Sequence, residues 1–230
     1  MKDLNKSGVI AVKTKVAKDT YKIDITLDNA ETLDYQTGQF VSIKIADKIN
    51  RSYSIGSKPG DRYLSLIADA THGGPGSKFF AECKEGDKIN IMGPLGRSVY
   101  HDGDNPVFFF STGTGVVPHM AMIRYALETL HSSRQITLIS GFRYESSIIL
   151  DEYFTDLANT YPNFKYIATL TKPEDSWTRG KGRVYEHFNL IDTPVKASAY
   201  ICGSRVMVTD VEEKLLELGL VKENVHFEKY

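Results

Sequence analysis

Four short stretches of the chain carry residue types that could do chemistry. Arg51-Ser52-Tyr53-Ser54 lies in an extended segment, where alternation puts a cation, a flat ring and a small hydroxyl within reach of one ligand. Thr112-Gly113-Thr114-Gly115-Val116-Val117-Pro118 falls between an apolar run and a helical pattern. Its glycines let backbone approach a pyrophosphate closely, and the helix start offers free N–H groups and a positive dipole end. Turn glycines with no ligand would look the same, and Pro118 keeps the stretch from reading as G-x-G-x-x-G. Gly74-Pro75-Gly76-Ser77 opens a short helix, either as a second phosphate site or with Ser77 as an ordinary N-cap. Ile201-Cys202-Gly203-Ser204 ends a strand, and an isolated Cys202 reads first as a small buried hydrophobe.

The elements that must position these stretches fall into two patterns. Up to about residue 100 the hydrophobicity alternates with period two, the mark of strands with one buried face. Strands are predicted at Val9–Val12, Tyr21–Leu27, from Gly38, Arg51–Ile55, Arg62–Ala68 and Lys88–Met92, with one short helix over Ser77–Cys83. Six short strands with polar turns suggest a small antiparallel barrel. Gly93-Pro94-Leu95-Gly96 reads as a structural turn at its end. The turn cluster Gly103-Asp104-Asn105-Pro106 then changes the pattern. Val107–Phe110 is continuously apolar, as a strand buried on both faces requires. Further strands are predicted at Ile136–Ile139, Phe164–Leu170 and Ala199–Cys202. Helices are predicted at Val117–Leu130, Leu150–Ala158, Val184–Phe188 and Val206–Leu218. Alternation of strand and helix argues for a doubly wound parallel α/β sheet. The division is therefore 1–102 and 103–230, and the strand ending at Cys202 places it at the crevice where such sheets take ligands.

Composition bounds the partners. A hydrophobic content of 41% with 25% charged residues supports a real core, and a net charge of −1 gives no general attraction to nucleic acid or anionic membrane. No apolar run reaches membrane-spanning length, and Met1–Lys6 lacks the apolar core of a signal peptide. Two distant cysteines, Cys83 and Cys202, cannot hold an iron–sulfur cluster, and no metal site is expected. Free thiols point to a cytosolic location. The oligomeric state is not legible.

Taken in order, R-x-Y-S, G-x-x-S, G-P-x-G, G-T-G-x-x-P, Cys-Gly and a terminal Glu-x-Tyr run along nearly the whole chain. The ordered set resembles the ferredoxin–NADP(+) reductase family of flavoenzymes. That resemblance implies an FAD-binding barrel followed by an NAD(P)-binding domain. Arg51 would pair with the FAD pyrophosphate together with Gly74, Gly76 and Ser77, and Tyr53 would pack on the isoalloxazine with Ser52 beside it. Ser54 would reach the reactive N5 region. Thr112, Gly113, Thr114, Gly115 and Pro118 would form the nicotinamide-nucleotide loop, with Cys202 and Gly203 beside the nicotinamide. Glu228 would assist proton delivery. Tyr230 would shield the flavin and move aside, although a terminal Val225–Tyr230 stretch by itself reads as a frayed tail.

The implied chemistry is hydride exchange between NAD(P)H and FAD, with single electrons passed to or from a separate ferredoxin or flavodoxin. For the nucleotide, Arg143, Lys172, Arg179, Lys181 and Arg183 follow the second and third strands of the second domain and could meet a 2′-phosphate, favouring NADP. Such charges are equally a solvated face. Thr171-Lys172-Pro173 with Trp177 and Gly182-Arg183-Val184 is also similar to NADH-using oxygenase reductases, so NAD stays open. An oxygenase reductase component or free-flavin reductase is the second enzyme reading. A flavin-binding redox sensor or electron-transfer subunit is the non-enzymatic one. Lys13, Lys15, Lys18 and Lys22 could dock an acidic carrier, or form a polar barrel face.

Overall fold

The computed structural model describes residues 4–30, 32–190 and 196–230; Met1-Lys2-Asp3, the start of the segment read for a signal peptide, lies outside them. Contacts divide the chain into two units. One runs through Tyr100 and includes Met120–Tyr125; the other comprises His101–His119 and Ala126–Tyr230.

In the first unit the period-two pattern becomes β1 (Asn5–Ala17), β2 (Thr20–Leu27), β3 (Phe40–Ala46), β4 (Ile49–Ser54) and β5 (Leu64–Asp69). Helix α1 (Pro75–Glu82) and β6 (Lys88–Leu95) follow. The strands pair antiparallel in the order β4-β3-β6-β1-β2-β5. Gly56, just past β4, donates its N–H to Ser65 O of β5 at 2.8 Å, joining the two ends of the sheet into a barrel. Ile10, Ile23, Val41, Ile43, Leu66 and Ile91 fill the interior, and Phe80 of α1 is wholly buried among them. Arg124 also belongs to this unit, where its guanidinium grips both carboxylate oxygens of Asp61 (2.5 and 3.3 Å).

Two expectations are corrected here, and a third is narrowed. Gly93-Pro94-Leu95 is not a turn but the end of β6, paired to β3 through Phe40 and Leu95. A register shift between Phe40 and Ser42 leaves room for a proline that donates no ladder hydrogen bond. Ser77 is not the N-cap of α1. Gly74 holds that position with Pro75 following, and Ser77 Oγ donates instead to Asp69 O (3.3 Å). The four-lysine patch is also partly committed. Lys13 Nζ donates to Ala81 O and Cys83 O (both 2.8 Å) at the C-terminal end of α1, and Lys22 pairs with Asp24 (2.9 Å).

After Tyr100 the chain alternates as the sequence requires, through β7 (Val107–Thr112), α2 (Val116–Arg124), β8 (Ile136–Phe142), α3 (Asp151–Thr160) and β9 (Phe164–Leu170). Next come β10 (Gly180–Lys181), β11 (Ser198–Gly203), α4 (Arg205–Glu217) and β12 (Val225–Lys229). The described strands are all parallel, in the order β10-β9-β8-β7-β11-β12. Progression outward from β7 reverses between β7 and β11, and their carboxyl ends therefore flank a topological switch point. The expected helix to Leu130 keeps α geometry only to Arg124 and continues as a wider π turn, Tyr125–Thr129. The helix expected at Val184–Phe188 is 3-10, Val184–Leu190. The C-terminal stretch is no frayed tail: β12 lies parallel to β11, Val225 opposite Ala199 through Lys229 opposite Gly203. No helix among the described residues is long and apolar enough to cross a membrane.

Candidate functional site

In the first unit the candidate residues gather where β4 meets α1. Arg51 is exposed, with its Nη1 donating to Asn50 O (2.8 Å), and Ser52 is exposed beside it. Tyr53 and Ser54 are half-buried. The Tyr53 ring lies 4.8 Å from Phe80 at a 52° tilt, and burial raises its hydroxyl pKa against the opposing pull of Arg51. α1 begins at Gly74-Pro75-Gly76. A Cβ on Gly73 or Gly74 would meet nothing within 4 Å, so the approach to the first turn is open. Open backbone at a helix start, an exposed guanidinium and an aromatic ring form a donor set suited to a phosphate joined to a flat ring. The residues present fit a flavin nucleotide.

In the second unit, the loop after β7 and the end of β11 are in direct contact. A Cβ on Gly115 would collide with the Cys202 carbonyl, lying 2.6 Å from its carbon and 3.1 Å from Gly203 N. Gly115 is thus demanded by neighbouring backbone rather than by a ligand. Gly113, at φ +53°, needs glycine for its left-handed backbone, and the nearest atom to a Cβ there would be the Tyr230 hydroxyl at 3.8 Å. Thr112 Oγ1 accepts from Ser204 N (3.4 Å), and Thr112 and Thr114 remain half-exposed. Pro118 is buried in the first turn of α2, where a missing N–H costs nothing.

The C-terminal residue closes this group. Tyr230 hydroxyl donates to Thr112 O (2.5 Å) and accepts the Gly115 N–H (3.0 Å), while Tyr230 N donates to Gly203 O (3.3 Å). The residue is 62% exposed overall, yet its hydroxyl end is enclosed, and burial followed by the Cys202 thiol pushes that group up to about 12. One N–H of the loop expected to be free for a pyrophosphate is therefore taken by the chain's own terminus. Cys202 is buried and pairs in register with Glu228 of β12. Burial, then the Glu228 charge, raises the thiol pKa, and burial raises Glu228 above the usual carboxylate range. The described residues contain no cluster of three metal-ligating side chains.

The cationic candidates separate. Lys172 N donates to Arg143 O (2.9 Å), which brings these two exposed residues together beyond β8 and β9. Arg143 lies over the Tyr144 ring at 5.4 Å. Arg183 leans on Asp210 of α4 at 3.9 Å. Arg179 is committed to structure. Its Nη1 holds both oxygens of Asp151 (2.8 and 2.7 Å), and its guanidinium lies over the rings of Tyr166 (5.2 Å) and Trp177 (5.1 Å). Trp177 is buried, with Nε1 donating to Gly180 O (2.8 Å). The sequence reading assigned no role to Ser204, which caps α4 by accepting Met207 N–H (3.4 Å) while holding Thr112. A serine just ahead of a helical pattern was the available signal.

Two known domain families match the chain. Residues 7–100 match the oxidoreductase FAD-binding domain, and residues 109–213 the oxidoreductase NAD-binding domain. The chain is 31% identical over 237 residues to one polypeptide of the Na(+)-translocating NADH-quinone reductase of Neisseria gonorrhoeae, covering 95% of this chain and 58% of that protein. It is 29% identical over 209 residues to ferredoxin–NADP reductase B of Sorangium cellulosum, covering 85% of each. Among solved structures it is similar to the Amycolatopsis cytochrome P450 reductase GcoB, with a TM-score of 0.90 at 24% identity over 98% of this chain and 69% of that one. A ferredoxin NADP+ reductase from Neisseria gonorrhoeae with bound FAD and NADP gives 0.84 at 19% identity over 98% of each. At such identities the structural likenesses speak for the fold. The chain spans 58% of the length of the first of these relatives.

Proposed function

This chain belongs to the ferredoxin–NADP(+) reductase family of FAD- and NAD(P)-binding oxidoreductases, and from that premise we propose that it exchanges reducing equivalents between NADPH and FAD and passes single electrons to or from a separate ferredoxin or flavodoxin. In this reading residues 1–102 hold FAD and residues 103–230 hold the nucleotide. A bound flavin supplies the conversion of a two-electron hydride into single electrons. The protein's own residues bind, orient and manage protons. Arg51 neutralises flavin phosphate at the open start of α1, where Gly74, Gly76 and Ser77 lie. Tyr53 packs on the isoalloxazine, flanked by Ser52, and Ser54 offers a hydroxyl toward N5. Thr112, Gly113, Thr114 and Gly115 cradle the nucleotide phosphates, and Pro118 lies in the first turn of the helix behind them.

The observation that carries the proposal is the bonded group at the switch point: Gly115 N–H on the Tyr230 hydroxyl, with Cys202, Gly203 and Glu228 adjoining. A nucleotide that takes the Gly115 N–H must displace the Tyr230 hydroxyl, so the terminus yields as the nucleotide enters. Glu228, raised by burial, can hold a proton closer to neutral pH than an exposed carboxylate. The buried Cys202 stays a neutral thiol beside it. A cytosolic location suits two buried free thiols.

Arg143 and Lys172, brought together and exposed, favour a 2′-phosphate and hence NADP. The NADH reading has, besides its motif similarity, the exposed Glu145 two residues past Arg143, at the start of a 3-10 turn. Replacing Arg143 and Lys172 together by Ala is expected to raise KM for NADPH at least tenfold while that for NADH changes little. Equal changes would remove the NADP assignment. The broader proposal is tested on the purified protein. It should be yellow, its flavin band should bleach with NADPH under anaerobic conditions, and reoxidation by ferredoxin or flavodoxin should outpace reoxidation by free flavin. A colourless protein that takes up no added FAD would end it.

A further inference from the structure

Gly76 is the second residue of α1. Its backbone does not lie in the left-handed region, so the helix itself would accept alanine, the better helix former. Its surroundings would not. A Cβ there would stand 2.5 Å from the Tyr53 hydroxyl, 3.7 Å from Tyr53 Cζ and 3.5 Å from Arg51 Cγ. The missing side chain is therefore the space into which the tyrosine hydroxyl fits.

Both walls of this slot are backed by packed or paired structure, so the tyrosine ring can give way only outward. Tyr53 is backed by Phe80 at 4.8 Å, and Phe80 is fully buried and set edge-on to Phe79. The strand behind Tyr53 is paired, Val41 opposite Tyr53 and Ile43 opposite Arg51. The helix is tied at both ends, by Ser77 Oγ on Asp69 O and by Lys13 Nζ on Ala81 O and Cys83 O. Gly74, by contrast, has nothing within 4 Å of its would-be Cβ and is the glycine open to a ligand.

We propose that Gly76 is a positioning residue for the flavin: by admitting the Tyr53 hydroxyl against the first turn of α1, it fixes the ring face that Tyr53 presents to the isoalloxazine. This rests on Tyr53 packing on the flavin. An added methyl leaves the hydroxyl about 0.9 Å short of ordinary contact, since ordinary contact begins at 3.4 Å. The ring must then swing outward with Arg51 beside it. Displacements of ~1 Å at a reacting centre cost up to ~100-fold in rate.

The test uses the FAD-loaded protein and four variants: Gly76→Ala, Tyr53→Phe, the two combined, and Lys78→Ala on the exposed side of the same helix. Visible circular dichroism of the flavin and the stopped-flow rate of its reduction by NADPH are read for each. Gly76→Ala should change the flavin dichroism and slow reduction ten- to a hundredfold. The combined variant, lacking the hydroxyl that collides, should recover the dichroism and rate of Tyr53→Phe alone, and Lys78→Ala should match the parent. A Gly76→Ala protein with unchanged dichroism and rate overturns the proposal, as does a combined variant no better than Gly76→Ala. If Gly76→Ala does not fold, folding of the combined variant supports the slot and failure of both overturns it. A parent protein that binds no FAD refutes the functional reading instead.

Discussion

Replacing Gly115 with alanine separates what a glycine does for its own backbone from what it does for its neighbours. Gly115 is not in a left-handed conformation, so where space allows the change would stabilise by about 0.4–1 kcal/mol through the unfolded chain. Space does not allow it. The new methyl would overlap the Cys202 carbonyl oxygen and stand 2.6 Å from the carbonyl carbon, about 0.8 Å inside ordinary contact. That carbonyl belongs to β11, held on one side by β7 (Cys202 opposite Ser111) and on the other by β12 (Cys202 opposite Glu228). The sheet cannot yield without losing ladder bonds, so the loop must. Overpacking of this kind costs about 1–3 kcal/mol, which outweighs the entropic gain. For a chain of this size each kcal/mol shifts the midpoint by about 2–4 °C, so a net cost of about 1–2 kcal/mol should lower Tm by ~2–8 °C. Calorimetry of the FAD-loaded protein reads the stability, and NADPH titration reads the loop, where affinity should fall at least tenfold. A variant melting within 1 °C of the parent, with unchanged nucleotide affinity, would refute the argument that β11 dictates this glycine.

Further outcomes follow from buried groups. His119 is buried against Phe109, its Nδ1 has no hydrogen-bond partner among the described residues, and burial lowers its pKa to about 3. The unfolded chain takes up that proton near pH 6.5 and the folded one does not. Stability is therefore full above pH ~6.5 and falls as pH drops toward 3, by up to about 1.4 kcal/mol per pH unit. His119→Phe should flatten the denaturant-unfolding stability between pH 6 and 5, and an unchanged slope would contradict this. Both thiols are buried with pKa values raised chiefly by burial, so iodoacetamide at pH 8 should label Cys83 and Cys202 only after denaturation, as mass spectrometry would show. Rapid labelling of Cys202 in the folded protein would count against its burial on β11 beside β12. Asp61→Asn removes the carboxylate that the Arg124 guanidinium grips, in a site where both side chains are about one-fifth exposed. A loss of ~1–2 kcal/mol is expected in urea unfolding, well above a surface pair, and no change would place this pair among solvated ones.

Local patterns carried much of this molecule. Period-two alternation marked strands such as β3 and β6 because one face of each is buried in the barrel, and Val107–Phe110 was continuous because β7 is covered on both faces. The mistakes were at places where a local signal competes with a distant one. Gly93-Pro94 has turn composition, yet its pairing to β3 keeps it in a strand. Ser77 has the chemistry of a cap, but Gly74-Pro75 starts the helix a turn earlier. Val225–Lys229 alternates β-favouring residues, a signal passed over because a chain end was expected to fray. The site was legible as residue types at fixed positions and illegible as contacts. Nothing in the string says that Arg179 is held by Asp151 while Lys172 pairs by its backbone with Arg143.

By itself, then, the sequence determined most of the strands and helices and their order along the chain, and it offered short stretches as candidates for meeting phosphates and a flat ring, because burial periodicity and backbone freedom are properties of neighbouring residues. Only the tertiary structure decided why Gly76 and Gly115 are glycines, which cations are already engaged, and that Tyr230 returns to the Thr112–Gly115 loop. Each of those depends on an atom from a strand or helix remote in the chain arriving within contact distance, and that is a property of packing rather than of local sequence.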